Sequence, residues 1–127
     1  MTARRRVDWR QLPLVMAGGA IGVLARYVLT LAWPDERLLT VSVINVVGSL
    51  LLGIVAASFA TSPLKRALLG TGLLGGFTSY SALVPLLSRS AVDALAAGIL
   101  VGQVALGAMA AVAGLAMGGS FARRRSG

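Results

Sequence analysis

Gly70-Thr-Gly-Leu-Leu-Gly-Gly-Phe-Thr-Ser-Tyr-Ser-Ala-Leu83 is an apolar stretch poorly made for an uninterrupted helix. Glycines occupy 70, 72, 75 and 76, and hydroxyl side chains follow at 78, 79 and 81. Glycine costs about 1 kcal/mol per helix position relative to alanine, and Ser and Thr divert backbone hydrogen bonds to themselves. The pattern predicts a break after the paired glycines. The flanks are nevertheless those of a membrane span, because no charged residue occurs from 67 to 88. Broken backbone at membrane depth persists only where it is buried or lines a cavity, and its freed carbonyls and amides are ready ion ligands. Carbonyl oxygens suit a hard cation; hydroxyls, amides and the positive rims of aromatic rings suit a small anion.

Three more charge-poor windows lie around this one. Residues 12–33 carry Pro13 in the first turn and Arg26 as their only charge; residues 38–62 end ahead of Pro63; residues 94–121 are closed by Arg123, Arg124 and Arg125. Each reaches the roughly 20 residues needed to cross a bilayer. The expected fold is an all-α membrane protein of four transmembrane helices, the third broken mid-membrane, in a single domain over residues 1–127. Its loops are short, so successive helices should be antiparallel. Composition agrees: 57% of the 127 residues are hydrophobic and 13% charged, against roughly 25% charged in soluble domains, and the mean hydropathy is +0.84. The arginines ahead of the first span raise the possibility of a signal peptide, which the three later spans argue against.

Composition also excludes function classes. Cysteine and histidine are absent, which removes disulfides, thiol redox chemistry, zinc sites and histidine acid–base catalysis. No nucleophile, base and orienting group can be assembled within the spans, so no enzyme is expected. The net charge of +8 comes from arginines at the termini rather than along a helix face interleaved with aromatics, so nucleic acid is not an expected partner. Arg4, Arg5, Arg6, Arg10, Lys65, Arg66, Arg123, Arg124 and Arg125 fall on one side of the four-span arrangement, against Arg37 and Arg89 on the other. The positive-inside rule then puts both termini in the cytoplasm, with the chain in the cell membrane. Glycines and Ser49 recur at small-xxx-small spacing: Gly18 and Gly22, Ser49 and Gly53, Gly72 and Gly76, Gly98 and Gly102, Gly114 and Gly118. Such pairs bring helix backbones together, and four helices bury too little surface alone, so an oligomer is expected.

Polar groups inside a span are costly and mark function. Asp8, Asp35, Glu36 and Asp93 all lie at the terminus or in loops, so a carrier that needs a buried carboxylate loses its support, and an anion or neutral solute is favoured. Asn45 sits within the second span, where its amide either donates to an anion or ties helices together. Arg26 either snorkels or lines a wet vestibule that concentrates anions. In the fourth span only Gln103 and Ser120 offer polar lining.

With four spans, the Gly-xxx-Gly-xxx-Arg-Tyr run ending at Tyr27, Asn45-x-x-Gly-Ser49, and Gly75-Gly-Phe-Thr-Ser-Tyr-Ser81, the chain resembles the Fluc/CrcB fluoride channel family over nearly its whole length. The resemblance implies a dimer of oppositely inserted subunits whose broken third helices cross at the centre around a structural sodium ion. Main-chain carbonyls at Gly75 and Thr78 would hold the sodium. Two flanking pores would pass fluoride passively out of the cytoplasm, with Asn45 reaching into a pore, Ser81 on a polar track and Arg26 at the aqueous approach.

This sequence departs from that family where two phenylalanines usually turn ring edges toward fluoride. Tyr80 keeps an aromatic edge, but Leu83 has none and Ala82 lacks the hydroxyl usual between them. A chain with a strong Lys/Arg bias also cannot readily insert both ways. The expected partner is therefore an oppositely oriented paralogue supplying the missing phenylalanines, with a homodimer that forms despite the bias as the alternative. Two rivals are a small four-span multidrug antiporter subunit and a non-conducting structural partner subunit. The antiporter needs the membrane carboxylate that is missing.

Overall fold

A computed structural model describes residues 8–87 and 94–125, and among them every regular element is helical. Helix α1 covers Gln11–Ala32 and α2 covers Arg37–Ser58. A continuous helical course follows from 63 to 77: α3 (Pro63–Lys65), a π-helical segment (Arg66–Leu74) and α4 (Gly75–Phe77). After it come two extended residues, a 3-10 turn (Tyr80–Ala82), α5 (Val84–Leu87) and the long α6 (Ala94–Arg125).

The ends differ from the expected windows in ways the local chemistry explains. Helix α2 stops at Ser58 rather than at 62, because the Phe59 N–H closes onto the Val55 carbonyl and the Ser62 N–H bonds the Phe59 carbonyl in a tight turn. Pro63, whose missing N–H costs nothing at the first helical position, starts the next helix four residues before the expected window. Lys65 and Arg66 are thus helical. Helix α6 runs past Phe121 through the terminal arginines, since arginine is a good helix former and nothing requires the helix to stop where the bilayer does. Its 32 residues extend roughly 48 Å. Ser88, Arg89 and Asp93 lie outside the described residues.

Helices α1, α2 and Ala97–Arg124 within α6 are long and apolar enough to cross a membrane. The stretch from 63 to 87 reaches that length only by continuing through its interruption. The tightest packing joins helices that are not sequential. A Cβ placed on Gly18 would run into the Leu68 carbonyl and sit 2.8 Å from the Leu73 nitrogen; on Gly22, 2.8 Å from the Phe77 nitrogen; on Gly76, 2.5 Å from the Gly19 carbonyl oxygen. Residue numbers rise together along this contact, so α1 and the 63–77 course are parallel. Gly53 similarly abuts Ala111 and Leu115, while Gly114 abuts Leu50 and Ile54, making α2 and α6 a second parallel pair. Three of the small-residue pairs seen in the sequence therefore lie at backbone-to-backbone contacts, whereas nothing lies within 4 Å of a Cβ built on Gly98 or Gly102.

Little apolar surface is hidden by this arrangement. Val41, Ile44, Ala67, Leu74 and Leu83 are buried, while side chains such as Met16, Leu24, Val101 and Val112 point outward, where hydrocarbon rather than water would meet them. The glycine contacts carry the packing, and enlarging one should cost more than any outward change. Gly22→Val is expected to destabilise the fold by about 1–3 kcal/mol or more, whereas Gly98→Ala should stay within about 0.5 kcal/mol. Thermal or denaturant unfolding in detergent measures both.

Candidate functional site

The helical course ends at Phe77. Thr78 (φ −83°, ψ 138°) and Ser79 (φ −158°, ψ 107°) are extended before the 3-10 turn begins. Two extended residues between helical pieces leave backbone groups that the helix no longer pairs. The largest part of that cost is met by Asn45, which is fully buried in α2. The Ser79 N–H donates to Asn45 Oδ1 at 2.7 Å, and Asn45 Nδ2 donates to the Ser79 carbonyl at 3.2 Å. The carboxamide thus pairs with one residue at both its amide and its carbonyl, as a neighbouring strand would. Of the two roles open to Asn45 in the sequence, the helix tie is made here, and one amide hydrogen remains for another acceptor.

Thr78 turns its polar groups back into the helix: its N–H (3.0 Å) and Oγ1 (2.9 Å) both donate to the Leu74 carbonyl. Its methyl lies where a Cβ on Gly48 would be, so α2 must carry glycine at that level. Among the described residues, the carbonyls of Gly75, Gly76, Phe77 and Thr78 accept no hydrogen bond. Gly75 and Thr78 thus both present main-chain oxygens without donors. Beyond the break, Ser79 Oγ and Ser81 Oγ are 3.0 Å apart, and Ser81 is exposed.

Tyr80 is half-buried, with its hydroxyl in the notch that Gly107 leaves on α6. Its ring packs against the buried pair Val41 and Leu83, joined by Ala82, Ile99 and Leu100. Leu83 has no exposed surface, so this position builds the core instead of opening onto a cavity. One helical turn before Gly107, Gln103 Oε1 is buried without a hydrogen-bond partner among the described residues.

Arg26 is half-buried near the end of α1 and lines a cavity of about 520 Å³ with Thr30, Arg37, Ala82 and Pro85. Thr30 Oγ1 donates to the Arg26 carbonyl, which leaves the guanidinium free of that hydroxyl. Arg37 was read in the sequence only as a topological charge. It joins Arg26 because the four-residue link 33–36 returns α2 beside the end of α1. Among the described residues that line it are two cations and no acid, and Ala82 connects it to the turn bearing Ser81.

Gly107 and Ser79 were likewise missed. Gly107 is silent in a sequence rich in glycine, and Ser79 contributes its backbone rather than its side chain. Asn45→Ala should leave both Ser79 backbone groups unpaired at about 1–3 kcal/mol each. Amide hydrogen exchange at 78–81 should accelerate strongly, with exchange in the α2–α6 pair little changed.

The family described as "CrcB-like protein, Camphor Resistance (CrcB)" matches residues 13–115, which include the whole interrupted segment. A protein of Leifsonia xyli named fluoride-specific ion channel FluC 2 is 38% identical over 91% of this chain and 88% of its own length. One of Thermobifida fusca, also named FluC 2, is 38% identical over 72% of this chain and 70% of its own length. FluC 1 of Rhodococcus jostii is 47% identical over 57% of this chain, and the match spans little more than half of that relative, 56%. No solved structure matches the chain. A match that runs from the first turn of α1 far into α6, through the break held by Asn45, makes this chain a member of the CrcB family.

Proposed function

We propose that the chain is a subunit of a fluoride-specific channel in the cell membrane, letting fluoride leave the cytoplasm passively and so relieving its toxicity. The observation that carries this reading is the interruption at 78–79, pinned by Asn45, beside neutral hydroxyl and amide groups and with no acidic side chain in the spans. Neutral donors suit a small anion that must shed water, and a pore without carboxylates does not repel it. The names of the Leifsonia, Thermobifida and Rhodococcus relatives support the same ion.

In this reading the exposed Ser81 hydroxyl and the edge of Tyr80 line the anion path, and the buried Asn45 stands behind it, holding Ser79 in place with one amide hydrogen to spare. Arg26 and Arg37 raise anion concentration in the cavity before it. The donor-free carbonyls of Gly75 and Thr78 fit a small monovalent cation. Those residues would hold a structural sodium ion, which supplies a fixed positive charge at the subunit junction. A pore between oppositely inserted subunits explains why one chain leaves Gly75 and Ser81 exposed along the third helical course.

The partner is proposed to be a paralogue. Leu83, where the family usually has a pore phenylalanine, is buried here against Val41, and Ala82 gives no hydroxyl to the track. The Lys/Arg bias favours a single orientation, with both termini cytoplasmic, and relatives bear the numbers FluC 1 and FluC 2.

Fluoride efflux from liposomes tests the proposal. Efflux should be selective for fluoride over chloride when the chain is reconstituted with its oppositely biased paralogue, and weak with the chain alone. Absence of flux in both preparations overturns the channel, whereas full flux from the chain alone overturns only the pairing. Arg37→Gln should lower the fluoride flux several-fold at low ionic strength. The deficit should fade near 1 M salt, where screening acts over about 3 Å.

A further inference from the structure

At the end of the molecule opposite Arg37, the parallel course of α2 and α6 brings two helix C-termini side by side. A cavity of about 390 Å³ opens between them, lined by Ile54, Ser58, Phe59, Phe121, Ala122 and Arg124. Its lower wall is apolar, formed by Ile54 and by Phe121, which is 57% exposed toward the flank of the helix pair. Its upper rim is cationic. Arg124 lines it directly, and Lys65, outside the lining itself, has its ammonium 5.3 Å from the centroid of the lining Phe59 ring. Ser58 also lines it, and among the described residues no carboxylate does.

We propose that this cavity binds one anionic phospholipid, its phosphodiester between Arg124 and Lys65 and its acyl chains descending along Ile54 and Phe121. The excess of cations at this end favours an anionic headgroup over a zwitterionic one. The negative ends of α2 and α6, roughly half an elementary charge each, offset only part of the positive charge that Lys65, Arg66, Arg123, Arg124 and Arg125 bring to this end of the molecule. Acyl chains distinguish a lipid from a free anion, because the apolar wall continues down the outward face of the pair into the hydrocarbon. Basic pockets between membrane helices recognise headgroups by this chemistry. The site is independent of the anion path, which lies at the other end of α2.

Native mass spectrometry of the purified full chain, titrated with phosphatidylglycerol or with phosphatidylcholine of the same acyl chains, tests the proposal. One phosphatidylglycerol should be retained per chain in preference to phosphatidylcholine. Arg124→Gln and Lys65→Gln should each lower that preference about fivefold. Arg124→Lys, which keeps the charge, should retain it, and Arg10→Gln, at the same end but outside the cavity, should leave it unchanged. Helical circular dichroism identifies any variant that fails to fold, and the pairing of Arg124→Gln with Arg124→Lys guards against that failure. Equal retention of the two lipids, an equal loss in Arg10→Gln, or displacement of phosphatidylglycerol by inorganic phosphate at matching concentration would each overturn the proposal.

Discussion

The arrangement depends on a single side chain making two hydrogen bonds to one backbone residue. Asn45 is buried, with Oδ1 and Nδ2 engaged by Ser79. Without it, an extended residue packed among helices would expose an amide and a carbonyl to surroundings that offer no water. Such groups return to helical bonding or find other partners. The clamp therefore stabilises an interruption that glycine and hydroxyl residues only permit. It also leaves the carbonyls from Gly75 to Thr78 without donors, because the amides that a continuing helix would aim at them point elsewhere.

Around the clamp, packing is done by absence of side chains. Gly18, Gly22, Gly72 and Gly76 bring α1 onto the third helical course, and Gly53, Gly114 and Gly118 bring α2 onto α6. Where lipid replaces water, burying leucine between helices yields little, while close backbone approach yields many dispersion contacts. The few buried large side chains gather where the interruption needs support. Val41 and Leu83 back the Tyr80 turn, and Gly48 and Gly107 make room for Thr78 and Tyr80.

Much of this was legible in the sequence. Charge-free windows located the helices, since a bilayer imposes a length that no soluble core does. The paired glycines and following hydroxyls pointed to the interruption, which falls at Thr78 and Ser79, just past Gly75 and Gly76. Helix ends were less legible: Pro63 began a helix where charge suggested a loop, and α6 continued through arginines. The site divided the same way. Asn45, Arg26, Tyr80, Ser81, Gly75 and Thr78 were expected from local pattern or resemblance, and the structure ties Asn45 to Ser79 and sets Tyr80 in the Gly107 notch. Arg37, Gly107 and the Ser79 backbone could not, because each acts on a residue distant in the chain. The parallel pairing was invisible for the same reason: small-residue spacing marks a face but not its mate.

That pairing bears on how the chain is made. Helix α1 rests on residues that follow it by about fifty positions, and α2 on residues further along still. During synthesis each early helix enters the bilayer before its mate exists, with its glycine groove turned to lipid or to the insertion machinery. Between the adjacent α2 and third course the contacts are local, at Asn45–Ser79 and Gly48–Thr78, and the continuous glycine-to-backbone contacts join the parallel pairs. Assembly is thus back-loaded: the first two helices wait, and the final one locks the second in place. A ribosome stalled or a chain truncated before α6 leaves α2 held to the third helical course only by the Asn45 clamp and the Gly48–Thr78 contact, with no parallel mate behind it.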